Sequence, residues 1–507
     1  MLIWFVILYL MVSVGIGLWA ATRVHNAKDY AVAGRHLPLP VVTATVFATW
    51  FGAETVLGIS ATFVREGLHG TASDPFGASM CLILAGLFFA RKLYRLNLLT
   101  IGDFFRLRYN RSVEVICTIC IVLSYLGWVS AQIKALGLVF NIITEEAVSQ
   151  EMGMIIGAAI VLTYTTFGGM LSVAVLDFVQ MIVIMLGMAV IAVIVGNEVG
   201  GVGHVVAQAA AQGKFDFWPT GEWQMWVPFL GAWLTMMLGS IPQQDVFQRM
   251  TSAKDENTAV RGSVLGGSLY FLFAFVPMLL AFAATLVDPA KFNVLVMEDS
   301  QKVLPVLILE HTPVYAQIIF FGALLSAIMS CSSATLLAPS VTFSENIIKG
   351  FYPHMSDKTF LRVMRGSLVV FAICVLLFAL HTDSSIHKMV ENAYKVTLVA
   401  AFIPLLCGLY WKRATTQGAL MGIIGGLMVW VLCEVLQPSD VWPAQIIGLG
   451  VAIVGMIAGS LLPQWIKSPR AAHEHHALHH HHYSHPHEHF PAHGARDSQH
   501  HNNTAGQ

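Results

Sequence analysis

The sequence predicts an all-α membrane protein with about thirteen transmembrane helices, and three observations support this fold class. The chain of 507 residues is 56% hydrophobic and only 11% charged, whereas soluble domains carry about 25% charged residues. Apolar segments of about 20 residues, the length that crosses a bilayer, recur along the chain as far as residue 464. The connections between them alternate between rich and poor in Lys and Arg. The lipid bilayer is therefore the predicted solvent of this chain.

The thirteen predicted segments are named spans 1 to 13 in chain order. They cover approximately residues 2–22, 39–64, 75–93, 113–143, 151–167, 170–197, 225–248, 262–287, 314–347, 362–381, 386–410, 415–436 and 443–464. Span 1 has no basic residues ahead of its apolar run and no small-residue cleavage site, so it is predicted to be a retained helix and not a signal peptide. Residues 1–467 are predicted to form one transmembrane domain, with no extramembranous part large enough for an enzyme.

The distribution of positive charge predicts the orientation of the chain. Of the 28 Lys and Arg residues, 21 lie in the connection after span 1, in every second connection after it, or in the C-terminal tail, and five lie in the opposite set. Cytoplasmic loops of membrane proteins are enriched in Lys and Arg. We therefore expect a multi-pass protein of the inner cell membrane, with its N-terminus outside and its C-terminus in the cytoplasm.

The C-terminal tail, residues 468–507, differs from the rest of the chain. It carries 13 of the 21 histidines and few aliphatic residues. Because it lacks the apolar side chains that a folded core needs, it is predicted to be disordered. Clustered imidazoles bind Zn²⁺ or Ni²⁺, and adventitious metal affinity of a low-complexity extension is the favoured interpretation.

Two spans are interrupted by helix-weakening residues. Span 2 contains ATWFGAE, with Gly52 near its middle, and span 7 contains LGSIPQQD, where Gly239, Ser240 and Pro242 disturb the apolar pattern. Non-helical backbone at membrane depth is tolerated only where it lines a cavity or an ion site. Because the two interrupted spans are five spans apart, they predict a transporter of two inverted repeats with its site near the midplane.

Glu54 directly follows the interruption of span 2. An ionisable residue inside a membrane span is by default a candidate for a functional site. The structural alternative is an ion pair with Lys134 of span 4. We favour a role for Glu54 in substrate binding, and the ion pair stays open as the second interpretation.

Four stretches of sequence, taken in order, carry a resemblance to a known family. They are TYTTFGGMLSVAVLDFVQ (163–180), GSIPQQDVFQRMTSAKD (239–255), GALLSAIMSCSSATLLAPS (322–340) and LYWKRATTQGALMG (409–422). Together they resemble the sodium/solute symporter family, from span 1 to about Leu462. The resemblance implies a LeuT-like fold with five-plus-five inverted repeats, at about 39–197 and 225–410, and coupling of Na⁺ entry to solute uptake.

The resemblance also implies a Na⁺ site between the interruption of span 2 and the hydroxyl groups of span 9. The matching positions here are Ala48, Phe51, Ala327, Ser330 and Cys331. Carbonyl and hydroxyl oxygens suit a hard cation. Cys331 departs from the family, which has Ser or Thr there, and a thiol is a weak, soft donor.

Asp177 of span 6 matches an acidic residue that the family places near the sodium path. A buried carboxylate requires a cation or hydrogen-bond donors to offset its cost. The departure at Cys331 leaves proton coupling open, in which case Asp177 or Glu54 is the expected proton carrier.

Within the family, the sequence is most similar to the choline-transporter branch, where a quaternary ammonium is held by cation–π contacts. Trp50 and Trp128 match aromatic positions of that branch, and two other aromatic positions have changed to Ala78 and Gln243. The residues expected to bind the substrate are Trp50, Glu54, Trp128 and Gln243.

These observations predict Na⁺-coupled symport of a small polar solute that contains nitrogen, such as choline, a related ammonium compound or an amino acid. Two alternatives stay open: a proton-coupled solute symporter, and a transporter-like solute sensor that signals through a separate partner. The expected partners are the solute, Na⁺ and the lipid bilayer. We expect no enzyme activity, no nucleic acid and no obligate protein partner.

Overall fold

The computed structural model describes residues 1–384 and 386–466, with side chains at all of these positions except 387, 388 and 391. In this part of the chain the regular elements are helices, and the β interactions are limited to an isolated bridge between Leu37 and Ala253. The all-α fold class is therefore confirmed. The histidine-rich tail, with its predicted disorder and metal binding, lies outside the described residues.

Most of the described chain is α-helical. The α-helices cover Leu2–Ala21, Ala27–Val32, Leu39–Trp50, Ser60–Glu66, Ala78–Leu84, Arg91–Arg95, Ile101–Arg108, Arg111–Ile143, Gln150–Glu198, Val202–Ala211, Trp223–Gly239, Gln244–Thr251, Glu256–Val287, Pro289–Glu298, Val303–His311, Val314–Phe343, Lys349–Phe351, Asp357–His381, Ile386–Ala400, Phe402–Tyr410, Thr416–Leu436 and Ala444–Leu461. Segments of 3₁₀-helix cover Ala33–Arg35, Gly67–Thr71 and Ser300–Lys302. Segments of π-helix cover Glu54–Ile59, Ala72–Gly77, Ala85–Ala90 and Ser344–Ile348.

Within the described residues, nine helices are long and apolar enough to cross a membrane, and up to eleven if each of two bent helix pairs is one span. The polytopic membrane architecture is therefore confirmed, whereas thirteen spans stay a prediction. The numbers differ partly because Glu54–Arg95 and Gln150–Glu198 run as helices of 42 and 49 residues. The longer one contains a non-helical residue, Gly169 (φ 53, ψ −136), between predicted spans 5 and 6.

Both predicted interruptions are present. The first helix of span 2 ends at Trp50, Phe51 has non-helical dihedral angles (φ −81, ψ 82), and helical structure resumes at Glu54. In span 7, the helices Trp223–Gly239 and Gln244–Thr251 meet at an angle of 46°. A third bend, of 40°, separates Phe402–Tyr410 from the helix before it, and the sequence analysis does not predict it.

The interrupted spans lie in the interior of the helix bundle. Leu39–Trp50 packs against Glu256–Val287 and Gln150–Glu198, and Arg111–Ile143 packs against Gln150–Glu198 and Ile386–Ala400. Every residue from 42 to 64 is buried, whereas large apolar side chains such as Leu186 and Leu272 are exposed on the outer helices. A membrane protein exposes such side chains to lipid, so the polar groups of span 2 are enclosed by protein.

Candidate functional site

The site is built around the break in span 2, which consists of Phe51, Gly52 and Ala53. A Cβ atom at Gly52 would lie 2.9 Å from the Cys331 Sγ and 2.9 Å from the Gln132 Oε1. Only glycine leaves room for this approach, because real Cβ atoms do not come so close to other heavy atoms. The break therefore contacts both span 9, through Cys331, and span 4, through Gln132.

The groups expected to hold Na⁺ come together beside this break. The Ser330 Oγ lies 2.7 Å from the Ala48 carbonyl oxygen and 2.9 Å from the Ala327 carbonyl oxygen, both acceptors for its single O–H. Cys331 lies against Gly52, and Phe51 forms the break itself; all of these residues are fully buried. Two carbonyl oxygens and a hydroxyl within hydrogen-bond distance are ligands that a hard cation accepts.

Asp177 lies at the neighbouring part of span 6. Its Oδ2 accepts a hydrogen bond of 2.6 Å from the Thr45 hydroxyl of span 2, whereas its Oδ1 has no partner in the described chain. The amide of Gln180 and the hydroxyl of Tyr164, both buried, interact with the Tyr9 and Ser333 hydroxyls. Because buried polar atoms are almost always satisfied, the Oδ1 of Asp177 is available to a further donor or cation.

Four buried aromatic side chains, named here the aromatic cluster, lie between spans 2, 4 and 11: Trp50, Tyr125, Trp128 and Tyr394. Trp128 stacks on Tyr125 with 5.8 Å between ring centroids, meets Trp50 edge-on at 6.0 Å and lies 5.5 Å from Tyr394. The Trp128 side chain also interacts with the Glu54 carboxyl group. Faces of such rings attract cations, so the cluster is suited to an organic cation.

A carboxylate of span 7 is tied to this cluster. Asp245 follows the break in span 7, and its Oδ2 accepts a hydrogen bond of 2.8 Å from the Trp50 Nε1. Its Oδ1 accepts from the Tyr125 hydroxyl, and its backbone N–H donates to the same hydroxyl at 2.8 Å. Asp245 therefore brings a buried negative charge to the aromatic cluster and links the two broken spans.

Glu54 is held by span 4, but not by the residue that we expected as the alternative. Its Oε2 accepts a hydrogen bond of 2.7 Å from the Gln132 Nε2. Lys134 instead donates to the carbonyl oxygens of Thr382 and Ser384, at 2.6 and 3.1 Å. The ion pair between Glu54 and Lys134 is therefore absent from the described residues, and that interpretation was wrong.

Gln243 lies at the break in span 7, next to the aromatic cluster. Its Nε2 donates to the Ser124 and Thr397 hydroxyls, each at 3.2 Å. Thr397 in turn lies one helical turn after Tyr394 of the cluster. The amide of Gln243 is thus engaged with the helices that carry Tyr125 and Tyr394 of the cluster.

A further carboxyl group, Asp74, lies beside Glu54. It accepts a hydrogen bond from the Tyr270 hydroxyl, and the same hydroxyl lies 3.0 Å from the Thr55 Oγ1, next to Glu54 in the chain. Asp74 and Glu54 are close enough to interact electrostatically.

Carboxyl groups outnumber cationic side chains at the breaks. Glu54, Asp74, Asp177 and Asp245 are each at most 3% exposed, and none forms a salt bridge with a described residue. Arg249, also buried, interacts electrostatically with Asp177 and Asp245, and its Nη2 has no partner among the described residues. Because uncompensated charge is costly inside a membrane, these carboxyl groups can take up further cations or protons.

The sequence analysis does not name six residues of this site, which are Asp74, Tyr125, Gln132, Asp245, Arg249 and Tyr394. Gln132 is a polar residue within an apolar span, which is a usable signal. Tyr125 and Tyr394 carry no such signal, because tyrosines are common in apolar helices and only the fold brings these two against Trp128.

A helical bundle with two broken spans around a buried, charged site is the architecture of a secondary transporter. The chain belongs to the sodium:solute symporter family, whose model matches residues 30–426. It is accordingly a Na⁺-coupled symporter of a small organic solute.

Individual relatives agree with this assignment. High affinity choline transporter 1 of Homo sapiens is 29% identical over 460 residues, which cover 84% of this chain and 76% of that protein. The osmoregulated proline transporter OpuE of Bacillus subtilis (strain 168) is 26% identical over 499 residues, which cover 92% of this chain and 95% of that protein. Both are transporters, as the family is.

A solved structure supports the fold. It is described as the substrate-bound outward-open state of a Na⁺-coupled sialic acid symporter, and it superposes with a TM-score of 0.78 at 19% sequence identity. The match covers 91% of this chain and 97% of that one. The helical arrangement of Na⁺-coupled transporters with a LeuT-like fold is therefore the fold of this chain.

Proposed function

We propose that the solute of this Na⁺-coupled symporter is a small polar organic molecule that contains nitrogen, either a choline-like ammonium compound or an amino acid. The observation that carries the proposal is the aromatic cluster, with Asp245 bound to two of its rings. A positive nitrogen gains from the ring faces and from the nearby negative charge. A neutral solute would gain nothing from the carboxyl groups in their ionised form.

The proposed roles follow from the contacts of each residue. Trp50 and Trp128 supply ring faces for the nitrogen, Glu54 supplies a carboxylate, and Gln243 supplies a polar contact from span 7. Each of the four is buried, so solute contacts there would be little screened by water.

Na⁺ would bind beside the break in span 2. In this proposal the carbonyl groups of Ala48, Phe51 and Ala327 and the Ser330 hydroxyl are the ligands, with Cys331 beside them. Asp177, with one oxygen free of partners in the described chain, lies on the ion path. A cation at this place would offset part of the buried negative charge.

Similarity to relatives supports the solute class from a second direction. The human relative is named for choline and the Bacillus subtilis relative for proline. Both solutes carry a positively charged nitrogen at neutral pH. We therefore rank a choline-like compound first and an amino acid second.

The remaining proposals concern the whole chain. We propose repeats at about 39–197 and 225–410, a location in the inner membrane, an outside N-terminus and a cytoplasmic C-terminus, on the strength of the Lys and Arg distribution. We also propose that the transporter needs no obligate protein partner, and that metal binding by the tail is adventitious. Cysteine-accessibility mapping tests the orientation: the tail and loop 297–302 should face opposite sides.

The function is tested by uptake into proteoliposomes. We expect an inward Na⁺ gradient to drive uptake of at least one radiolabelled solute from a panel of choline, related ammonium compounds and amino acids, with glucose as the control that has no charged nitrogen. Uptake of glucose alone would overturn the solute class. Uptake driven by a pH gradient and indifferent to Na⁺ would contradict the ion assignment.

A further inference from the structure

The side-chain amide of Gln132 makes two hydrogen bonds to consecutive residues of span 2. Its Oε1 accepts from the Ala53 backbone N–H at 3.0 Å, and its Nε2 donates to the Glu54 Oε2 at 2.7 Å. Gln132 is fully buried. A single planar group therefore holds both the end of the helix break and the carboxylate that follows it.

The same break is in contact with the groups expected to bind Na⁺. Gly52 lies against both the Cys331 Sγ and the Gln132 Oε1. Ser330, the neighbour of Cys331, donates to the carbonyl oxygen of Ala48. The proposed ion ligands and Gln132 thus touch one stretch of backbone, residues 48–54.

We infer that Gln132 is a positioning residue that couples Na⁺ binding to solute binding. The inference rests on the proposed function, because it takes the Na⁺ ligands at the break and the solute contact of Glu54 from it. A cation that draws the carbonyl groups of the break inward shifts the N–H of Ala53. Since the Oε1 and Nε2 of Gln132 belong to one rigid amide, the hydrogen bond that orients Glu54 shifts with it.

A purely structural role gives a different expectation. The first N–H groups of a helix lack partners within the helix, and a side chain that caps one of them stabilises the fold. Loss of a cap alone lowers stability but leaves the influence of one ligand on the other intact. Coupling is instead a reciprocal quantity: if Na⁺ strengthens solute binding, the solute strengthens Na⁺ binding by the same factor.

The experiment measures this factor on the purified, full-length protein. Binding of radiolabelled Na⁺ is titrated without and with saturating choline, for the wild type and for Gln132→Met. We expect choline to lower the half-saturating Na⁺ concentration of the wild type by about fivefold or more. In Gln132→Met the effect of choline should fall below about twofold, while Na⁺ binding without choline stays within about threefold of wild type.

Gln445→Met is the matched control. Gln445 is also a buried glutamine with one side-chain hydrogen bond, of 3.2 Å to the Thr235 hydroxyl, but it lies on span 13 away from the break. This variant should keep the wild-type effect of choline on Na⁺ binding. Equal loss of the effect in both variants would overturn the inference.

A second variant keeps the test decisive if Gln132→Met does not fold. The exchange Gln132→Glu with Glu54→Gln retains an acceptor for the Ala53 N–H and reverses the direction of the second hydrogen bond. It should restore most of the choline effect that the single change Gln132→Glu abolishes.

Two outcomes would overturn the inference. One is a full choline effect in Gln132→Met, and the other is a wild type in which choline leaves Na⁺ binding unchanged. The proposed function is judged separately, since Na⁺-driven uptake of another organic cation would uphold it in the second case.

Discussion

Two groups of buried carboxylates in this protein have opposite surroundings. One group, named here the ionic network, joins the connection before span 4 to the end of span 9. Glu114, fully buried, accepts from Arg111 at 2.6 Å and from Arg106 at 3.4 Å. Asn346 donates to Glu114 at 2.8 Å and to Asp103 at 2.9 Å. Each carboxylate of this network has a cationic partner of its own.

The second group surrounds the breaks of spans 2 and 7. Glu54, Asp177 and Asp245 are held by neutral donors from Gln, Thr, Trp and Tyr side chains. No salt bridge joins any of them to a residue that the structure describes, and Asp177 and Asp245 share the electrostatic interaction of the single buried Arg249. A carboxylate with its own cation serves the fold, whereas three carboxyl groups beside one guanidinium can take up a transported cation.

The largest effect on stability is expected in the ionic network. Glu114→Ala removes the partner of two guanidinium groups and leaves the Asn346 amide short of an acceptor. Removing one partner of a buried ion pair costs about 3–5 kcal/mol, and partial exposure of Arg106 and Arg111 reduces this to about 2–3 kcal/mol. Equilibrium unfolding in detergent measures the loss.

Glu54→Gln should reduce solute affinity and leave the stability of the fold nearly unchanged. It is expected to leave stability within about 0.5 kcal/mol but to weaken solute binding by about 1.5–3 kcal/mol, the range for a charge-assisted hydrogen bond. Competitive binding of radiolabelled choline to purified protein gives the affinity. Full solute affinity in a well-folded Glu54→Gln protein would remove Glu54 from the solute site. A loss of stability in this variant would show that Glu54 serves the fold, as the carboxylates of the ionic network do.

Ser330→Ala tests the contribution of one hydroxyl ligand to Na⁺ binding at the breaks. Loss of one hydroxyl ligand should raise the half-saturating Na⁺ concentration by about five- to tenfold, equivalent to about 1–1.4 kcal/mol, with little change in the saturated transport rate. Na⁺-dependent uptake measures both quantities. An unchanged Na⁺ dependence would contradict the assignment of Ser330.

Cys331→Ser should have the smallest effect. A hydroxyl is a harder ligand than a thiol, so the half-saturating Na⁺ concentration should stay the same or fall by about twofold, less than 0.5 kcal/mol. The same uptake assay measures it. A large rise would mean that the thiol at this position is required for its packing against Gly52.

The contrast between the two groups also explains what the sequence could predict. The breaks were predictable because Gly52, Gly239 and Pro242 interrupt apolar helices, which is a local property. The family resemblance supplied the candidate Na⁺ ligands. The partner of Glu54 was not predictable, because it depends on whether Gln132 or Lys134 faces the break, and these two residues differ by about half a helical turn.

Other residues of the site were not predictable because contacts between helices that are distant in sequence bring them there. Tyr394 joins the aromatic cluster only because the helix Ile386–Ala400 packs on Arg111–Ile143. The number of spans depends on a related feature. Predicted spans 5 and 6 are separated by a backbone break at Gly169 and not by a charged connection, so the sequence pattern there does not mark where one span ends and the next begins.

The central claim is that buried carboxyl groups and aromatic rings at the breaks serve a solute with a positively charged nitrogen that enters with Na⁺. The most direct measurement is uptake of radiolabelled choline into proteoliposomes under an imposed Na⁺ gradient, in competition with the uncharged isostere in which carbon replaces the nitrogen. Both molecules have the same shape, so only charge distinguishes them. We predict Na⁺-dependent uptake of choline that unlabelled choline suppresses and the isostere does not. Equal competition by the isostere, or uptake that does not depend on Na⁺, would contradict the account.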